Sequence, residues 1–543
     1  MPTDIPSVPS YAVRRALRDR DEIGLLDVRP EGLFAVGHPL FAASFPLGRL
    51  EAEVYDRLPR RSVPLVVYGN GPAAGEDAVT ATRRLRSLGY RDVSLLAGGL
   101  AGWTAAGGEL FADVNAPSKA FGELVAATAG TPDVTAHELR EMLRHAGDVV
   151  VVDARRFEEY QTMSIPTATS VPGAELVLRV GALAPDPATM VVVNCAGRTR
   201  SIIGAQSLIN AGLANRVVTL RNGTIGWTLA GLTLEHGQAR RAPEVPAAAS
   251  RRAGAAAWAV ARKAGVAQID PGELRSLEEG GRRTVYRFDV RTPEEYAAGH
   301  PAGFRPAPGG QLVQETDWFA PVRGALIVLA GDDGGRAAMT GSWLAQMGWD
   351  VVVWPPGPEG PVETGSWTSA RPPLPDVTLA DPARVDDWLR AREALVVDVD
   401  TSRRFLSGHV PGAAWALRTD LPGAIPGLLR RAARLILTSA DGVLAAFAAA
   451  DLVERAHGAH AAVTVLDGGT AGWARSGRPL RAGPGEMLSP PVDVYRRPYE
   501  GTGVDPAAMR AYLAWEHGLV AQLERDGTHG FTLLTGLAVS HDA

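Results

Sequence analysis

The sequence is poor in cysteine, in long apolar runs and in excess charge of either sign. Its 543 residues include one cysteine, Cys195, which excludes an internal disulfide and a cysteine-rich zinc site. No apolar run approaches the ~18 residues that a membrane span requires. The opening MPTDIPSVPS lacks the basic and apolar parts of a secretory signal. The formal charge of −5 argues against a nucleic-acid-binding surface. These absences predict a cytoplasmic protein without a membrane or nucleic-acid partner.

A long internal repeat divides the chain. Four strand-like runs end in similar tripeptides, which begin at Asp27, Asp153, Asp289 and Asp398. A Gly-Trp pair follows the first, second and fourth of these aspartates after 76, 74 and 75 residues. A second apolar run ends 42, 42, 41 and 41 residues after the four aspartates, at Gly69, Cys195, Ala330 and Ser439. Periods of this length correspond to whole domains. The sequence therefore predicts four copies of one domain.

Each copy alternates strand-like and helix-like segments. Runs such as DVVVVDA and MVVVN are typical of strands that are covered on both faces. Helices are predicted to begin after Thr135, Asp270 and Asp381 and to end at Gly212. The alternation predicts an α/β fold in which each domain has a mainly parallel sheet with helices on both faces.

The repeat and the composition also predict domain boundaries. The four domains are expected at residues 1–111, 131–236, 265–366 and 376–483. Linkers are expected near 112–131, 237–258 and 355–375, where Ala, Arg, Pro or Gly are frequent. A tail over 484–543 is expected to carry one amphipathic helix, at about 506–525, whose role the sequence does not indicate.

The single cysteine stands between a predicted buried strand and a predicted helix. In the segment Cys195-Ala-Gly-Arg-Thr-Arg-Ser201, loop N–H groups and a helix N-terminus converge on one thiol. Arg198 and Arg200 add two positive charges, and together these groups are expected to lower the pKa of the thiol. The pattern predicts a nucleophilic Cys195, and the alternative is a small buried apolar residue.

These features together resemble the rhodanese (sulfurtransferase) family. The resemblance rests on the DVR-type strand ends, on the turns Gly299-His300-Pro301 and Gly408-His409-Val-Pro411, on the cysteine loop and on the closing GG-x-x-GW. It covers nearly the whole chain as four tandem rhodanese-like domains, although the third lacks the closing Trp. It implies that Cys195 carries sulfur as a persulfide.

The other three copies are expected to be inactive. Gly69 and Ala330 offer no nucleophile in the matching position, and Ser439 has no evident base beside it. The third loop also carries Asp332 and Asp333, which would raise the pKa of a thiol placed there.

Further residues are assigned around the nucleophile. Substrate binding is predicted for the rest of its loop: Ala196, Gly197, Arg198, Thr199, Arg200 and Ser201. The resemblance implies that Asp153 and Arg155 support the site as an ion pair. Glu175 and Arg179 are predicted at the pocket mouth or, alternatively, on a solvated helix turn.

Neither a metal nor a cofactor is predicted. His38, His300 and His409 lack a second ligand at constant spacing and are expected in turns. In the second copy, Met163-Ser164 stands at the His position, which puts a histidine role there in doubt. The chain has no phosphate-binding loop that would indicate a nucleotide.

The predicted function is a thiosulfate-type sulfurtransferase. Cys195 would take sulfur from thiosulfate or a related persulfide donor and pass it to a thiol or cyanide; Arg198 and Arg200 match the dianionic donor. One alternative is a non-catalytic sulfur-binding or interaction protein. The other is a phosphatase or arsenate reductase of the branch that shares this fold, which needs Arg six positions after the cysteine, where Ser201 stands. The expected partners are small molecules, and the oligomeric state stays open.

Overall fold

The protein alternates strands and helices along its length, as the sequence predicts. The computed structural model describes residues 5–71, 75–145, 148–331, 335–355, 360–455 and 463–534; Asp332 and Asp333 lie outside the described residues. The strands form four main sheets in which most neighbouring strands are parallel. The predicted α/β fold class with four tandem units is confirmed.

The first unit contains a parallel sheet in the order β1-β5-β4-β2, with β3 beside β2. Its elements are β1 (Ser7–Val8), α1 (Ser10–Asp19), β2 (Ile23–Asp27), α2 (Glu31–Phe34), β3 (Ala43–Ser44), α3 (Leu50–Arg57), β4 (Leu65–Tyr68), α4 (Gly75–Ser87), β5 (Val93–Leu96) and α5 (Gly99–Ala105). One helix, α6 (Ala116–Ala129), connects it to the second unit.

The second unit has the sheet order β6-β10-β9-β7-β8. Its elements are β6 (Asp133–Val134), α7 (Ala136–Arg144), β7 (Val149–Asp153), α8 (Phe157–Thr162), β8 (Thr169–Ser170), α9 (Leu176–Leu183), β9 (Met190–Asn194), α10 (Thr199–Asn210), β10 (Val217–Leu220) and α11 (Gly223–Leu229). The central strand β9 ends directly before Cys195.

The third unit follows α12 (Ala247–Lys263) and has the sheet order β11-β17-β16-β12-β14. Its elements are β11 (Ala267–Gln268), α13 (Pro271–Gly280), β12 (Val285–Asp289), α14 (Pro293–Ala298), β13 (His300–Pro301), β14 (Arg305–Pro306), α15 (Gly309–Gln314), α16 (Thr316–Phe319), β15 (Val322–Arg323), β16 (Leu326–Ala330), α17 (Gly335–Gln346), β17 (Asp350–Val353) and β18 (Val362–Glu363). Strand β15 leaves its own unit and pairs antiparallel with β2 of the first sheet.

The fourth unit has the sheet order β19-β23-β22-β20-β21-β24, in which β24 comes from the tail. The elements are β19 (Leu379–Ala380), α18 (Pro382–Arg390), β20 (Ala394–Asp398), α19 (Ser402–Ser407), β21 (Ala414–Trp415), α20 (Leu421–Leu428), β22 (Arg434–Thr438), α21 (Val443–Arg455), β23 (Val463–Leu466), α22 (Gly469–Arg475), β24 (Glu486–Met487) and α23 (Pro506–Asp526). The tail helix α23 spans nearly the residues predicted for it.

The helix signals in the sequence are present in the structure. Thr135 Oγ1 accepts from the Glu138 N–H at 3.2 Å, and the Glu138 carboxylate accepts from the Thr135 N–H at 2.7 Å, which completes a capping box. Asp270 and Asp381 each accept two N–H groups of the helix that they begin. Gly212 follows α10 with φ of +75°, a conformation that favours glycine.

Two of the predicted linkers are helical and pack between units. Helix α6 fills most of 112–131 and contacts α10 and α23, whereas α12 begins within 237–258 and contacts α17 and α9. Their alanine-rich composition, which suggested linkers, is also the composition of a good helix former. The predicted domain boundaries stay predictions.

The largest apolar core is shared by the first and third units. It joins residues of β2 and α17 with Phe121 of α6 and Leu519 of α23. The second and fourth units each have apolar clusters of their own on the two faces of their sheets. Among the described helices, none combines the length and apolarity of a membrane span.

Strand pairing shows which loop positions correspond in the four units. The four repeat aspartates pair, in chain order, with Tyr68, Asn194, Ala330 and Thr438. The residues that follow these partners are Gly69, Cys195, Gly331 and Ser439. In the third unit, Gly331 therefore corresponds to Cys195, and the sequence-based choice of Ala330 is wrong, because β16 extends through Ala330 itself.

Candidate active site

Cys195 lies at the carboxyl end of β9, where the chain turns into α10. Strands β7 and β10 flank β9, so the loop lies over the middle of the sheet. The carboxyl ends of parallel strands are the usual place for ligand sites in such sheets. The cysteine is 2% exposed.

Helix α11 orients the loop through its backbone. The N–H of Thr224 donates to the Cys195 carbonyl at 2.9 Å, and the N–H of Ile225 donates to the Ala196 carbonyl at 3.0 Å. Gly223 has φ of +54°, and a Cβ there would lie 2.3 Å from the Cys195 carbonyl oxygen, so the closing Gly of the repeat permits this approach. The N–H groups of residues 196–198 have no acceptor among the described residues. They are available to hold an anion.

The thiol of Cys195 contacts Ser201. Its Sγ donates to Ser201 Oγ at 3.3 Å, and Ser201 Oγ donates to the Arg198 carbonyl at 2.8 Å. Burial raises the pKa of the Cys195 thiol, and the charge of Arg200 and hydrogen bonding with the side chain and backbone of Ser201 only partly oppose this. The expectation of a lowered thiol pKa is therefore wrong for this enclosed arrangement, because the sequence did not reveal how completely the loop is covered.

Both loop arginines are engaged by carboxylates. Arg198 Nε and Nη2 donate to the two carboxylate oxygens of Glu123 on α6, at 2.6 and 2.9 Å. Arg200 Nη1 and Nη2 bind Glu159 on α8 at 2.6 and 2.9 Å. Although burial acts to raise it, the pair with Arg200 lowers the pKa of Glu159 to about 2. The arginines thus fasten the loop to its surroundings.

Sequence reasoning missed Glu123 and Glu159. Glu123 lies in a segment that was expected to be a linker, so nothing local marked it. Glu159 did carry a signal, because it stands six residues after Asp153 as Glu295 stands six residues after Asp289. In the third unit, Glu295 binds Arg336 at 2.6 Å in the same way.

Asp153 and Arg155 lie beneath the loop as a buried ion pair. Arg155 Nη2 approaches Asp153 Oδ2 to 2.6 Å and also donates to the Met163 carbonyl. Asn194, next to the cysteine, donates to the same carboxylate at 3.1 Å. The pair is repeated in the first and third units as Asp27–Arg29 and Asp289–Arg291. The Asp153–Arg155 pair therefore supports the end of β7.

Glu175 and Arg179 pair with each other on the turn before α9 and at its start. Glu175 is 4% exposed and accepts from Arg179 and from Arg336 of the third unit. It borders a cavity of about 770 Å³ between the first three units, which Arg200 also lines. A second cavity, of about 420 Å³, is lined by Arg198 and Ser201.

The tail helix α23 covers the loop. Ala196 is 2% exposed and belongs to an apolar cluster with Tyr499, Met509 and Tyr512. A Cβ on Gly197 would lie 3.3 Å from a ring carbon of Tyr512. Thr199, which begins α10, is also buried. The spacing of the apolar residues in α23 predicted a buried face, but only the structure identifies what that face covers.

The comparisons with known proteins agree with this geometry. The sequence profile of the rhodanese-like domain matches residues 11–106, 135–230 and 381–476. A crystal structure of a thiosulfate sulfurtransferase from Pseudomonas aeruginosa is 52% identical and has a TM-score of 0.94, over 98% of this chain and 100% of that one. The chain belongs to the rhodanese family. The predicted recognition, four tandem rhodanese-like units of a rhodanese-type enzyme, is confirmed, and the structural match includes the third unit, which the profile does not.

A second relative matches only a small part of the chain. An HTH-type transcriptional regulator of Mycobacterium tuberculosis is 36% identical over 110 residues, which is 20% of this rhodanese. The chain spans about half of that relative's length, 47%.

Proposed function

We propose that this rhodanese is a sulfurtransferase that accepts sulfane sulfur from thiosulfate on Cys195 and passes it to a thiol or to cyanide. The observation that carries the proposal is the cysteine loop. One nucleophilic atom stands at a strand end beside backbone N–H groups that have no acceptor among the described residues. The similarity to a thiosulfate sulfurtransferase over nearly the whole chain supports the same reaction class.

The first half-reaction loads the cysteine. The Cys195 thiolate attacks the outer sulfur of thiosulfate and forms an S–S bond. The bond between the two sulfur atoms of thiosulfate breaks, and sulfite leaves with its electron pair. The persulfide anion that remains is stabilised by the N–H groups of residues 196–198 and by the N-terminus of α10.

The second half-reaction unloads it. A thiolate or cyanide ion attacks the outer sulfur of the persulfide, the Cys195–sulfur bond breaks, and the Cys195 thiolate is restored. No metal or redox cofactor is needed to balance either step.

The backbone, and not the arginine pair, is the main anion binder in this proposal. Glu123 and Glu159 already compensate Arg198 and Arg200, so little unpaired positive charge is left to select a dianion. The same loop can therefore also bind a persulfide donor that carries less charge than thiosulfate. Two cavities border the loop, one lined by Arg200 and the other by Arg198 and Ser201, and in this proposal small donors and acceptors approach the loop from them.

A second candidate function is sulfur binding without turnover. It is favoured by one observation: Cys195 is 2% exposed and burial raises its pKa. Such a protein would accept sulfur slowly and would not release it to a small acceptor.

Mass spectrometry of the intact protein tests the proposal. After incubation with thiosulfate, we expect a gain of one sulfur atom at Cys195 and an equal amount of sulfite. Subsequent cyanide should remove the sulfur as thiocyanate. A loaded protein that cyanide does not discharge would establish the binding function instead, and a protein that never gains sulfur would contradict both.

A further inference from the structure

A buried carboxyl group of the tail helix lies against the cysteine loop, outside the machinery described so far. Glu516 is 1% exposed. A Cβ on Gly197 would lie 3.2 Å from Glu516 Oε2. Tyr512 donates to Glu516 Oε1 at 2.8 Å, whereas Oε2 has no hydrogen-bond partner among the described residues. A buried carboxyl group with one unpaired oxygen costs free energy, so its place against the loop calls for an explanation.

The charged groups around Glu516 come from two elements packed against α23. Helix α6 supplies Lys119 and Glu123, and the loop supplies Arg198. Lys119 is bound to Asp113 at 2.8 Å and Arg198 to Glu123 at 2.6 Å. Each of these cations is therefore already paired with a carboxylate other than Glu516.

Burial dominates the ionisation of this carboxyl group. It raises the pKa of Glu516 to about 8, with Glu123 acting in the same direction and Lys119, Tyr512 and Arg198 against it. A negative Glu516 in turn acts to raise the pKa of Cys195. Both groups thus titrate at alkaline pH in one enclosed space.

We propose that Glu516 is a positioning residue of the sulfur-transfer site, which controls the charge that Cys195 can carry. When Glu516 is protonated, it lies neutral against Gly197 and leaves the loop N–H groups to a single anion on Cys195. When Glu516 is ionised, a second negative charge beside the loop opposes the thiolate and the persulfide. The two ionisations are therefore anticooperative, and each group titrates differently when the other is removed.

The inference rests on the proposed function only in taking Cys195 as the sulfur carrier. The test needs no sulfur donor, so its failure is distinguishable from a failure of that function. Because Cys195 is the only cysteine, alkylation by iodoacetamide reports on one site in the full chain. The plateau rate reports access to the thiol, and the pH at half the plateau reports its ionisation.

Glu516→Gln removes the charge and keeps an acceptor for Tyr512. We expect the half-plateau pH of alkylation to fall by about one unit, the size expected for the loss of a neighbouring like charge. The wild type should show two overlapping steps and the variant one. Glu524→Gln is the matched control, because it removes an exposed carboxylate from the same helix, and it should leave the profile unchanged.

A second variant covers the case in which Glu516→Gln does not fold. Tyr512→Phe deletes the hydrogen bond that favours ionised Glu516, so the carboxyl group stays neutral to higher pH. The half-plateau pH of Cys195 should then fall by a smaller amount. Profiles of the variants that superpose on those of the wild type and of Glu524→Gln would overturn the proposal.

Discussion

The second and fourth units place the same backbone around opposite charges. In both, a strand-end aspartate lies beneath the loop, and a helix N-terminus holds the loop carbonyls: Thr470 donates to Ser439 as Thr224 donates to Cys195. In the second unit, Arg155 neutralises the aspartate. In the fourth unit, Asp400 stands at that position, and its carboxylate accepts the Ala440 N–H at 2.8 Å.

The fourth unit therefore differs from the second in the charge beside the loop as well as in the missing thiol. The Ala440 N–H corresponds to the Ala196 N–H, which has no acceptor among the described residues of the second unit. The fourth unit thus fills its anion cradle with a carboxylate of its own. Among the described residues no guanidinium forms an ion pair with Asp398, and burial, with the charge of Asp400, raises its pKa to about 7.

The third unit differs in the other direction. It keeps the Asp289–Arg291 pair and the Arg336–Glu295 pair, but Gly331 stands where the thiol should be. The ion pairs therefore persist beside a loop that has no thiol, which indicates a structural role for their counterparts in the second unit.

The largest expected effect comes from removing the proposed nucleophile of the second unit. Cys195→Ser should abolish sulfur transfer from thiosulfate to cyanide and leave the fold intact, because a serine hydroxyl is too basic to replace the thiolate. Thiocyanate production and circular dichroism are the measurements. Turnover above about 1% of the wild type would show that another unit is active.

The second and third units are compared by deleting one arginine from each. Arg200→Ala should lower turnover by about 10- to 100-fold, the cost of one charge-assisted contact, and equally for thiosulfate and for singly charged donors, because Arg200 holds the loop through Glu159. Arg336→Ala, the matched variant, should leave turnover unchanged. A loss confined to thiosulfate would show instead that Arg200 binds the dianion.

The fourth unit can be changed toward the second in the Cys195→Ser background. Ser439→Cys alone should form no persulfide with thiosulfate, because the Asp400 carboxylate occupies the cradle and raises the pKa of the new thiol. Adding Asp400→Arg should increase alkylation of this thiol at pH 7 by about tenfold, the effect of about one pKa unit. Persulfide formation by Ser439→Cys alone would contradict the comparison. In the third unit, the corresponding change is Gly331→Cys.

The last prediction concerns the stability of the fourth unit against pH and leaves turnover aside. The pKa of Asp398 is about 7 in the fold and near 4 in an unfolded chain, so the free energy of unfolding of the fourth unit should fall as the pH rises from about 4 to about 7. Asp398→Asn should remove this slope. Hydrogen exchange in β20 and β22 at pH 5 and pH 8 measures it, with the exposed Asp467→Asn as the control. An unchanged slope in Asp398→Asn would contradict the assignment.

Much of the fold could be predicted from the sequence, because each unit repeats the same local signals. The aspartates at strand ends, the capping residues and the closing Gly-x-x-Gly-Trp all depend on neighbours in sequence. The position of Cys195 at the end of a central strand followed from the same signals. One boundary was misplaced in the third unit, where an apolar Ala330 extends the strand beyond the point expected.

The surroundings of the thiol could not be predicted in the same way. Glu123 and Glu516 reach the loop from 72 residues before Cys195 and 321 residues after it, and no periodicity marks such contacts. Burial decides the direction in which the pKa of the thiol shifts, and α23, which packs against Ala196 and Gly197, encloses the loop from a distant part of the sequence. Charge near a cysteine can be read from sequence, whereas its desolvation cannot.

The pairing of β15 with β2 bears on how the chain is made. The first sheet needs Val322 and Arg323 to complete the edge beside Ile23 and Gly24, and these residues are synthesised about 300 positions later. While the ribosome translates the second unit and most of the third, that edge of β2 stays open to a passing strand. The order of synthesis thus leaves the first sheet without β15 until most of the third unit has been made.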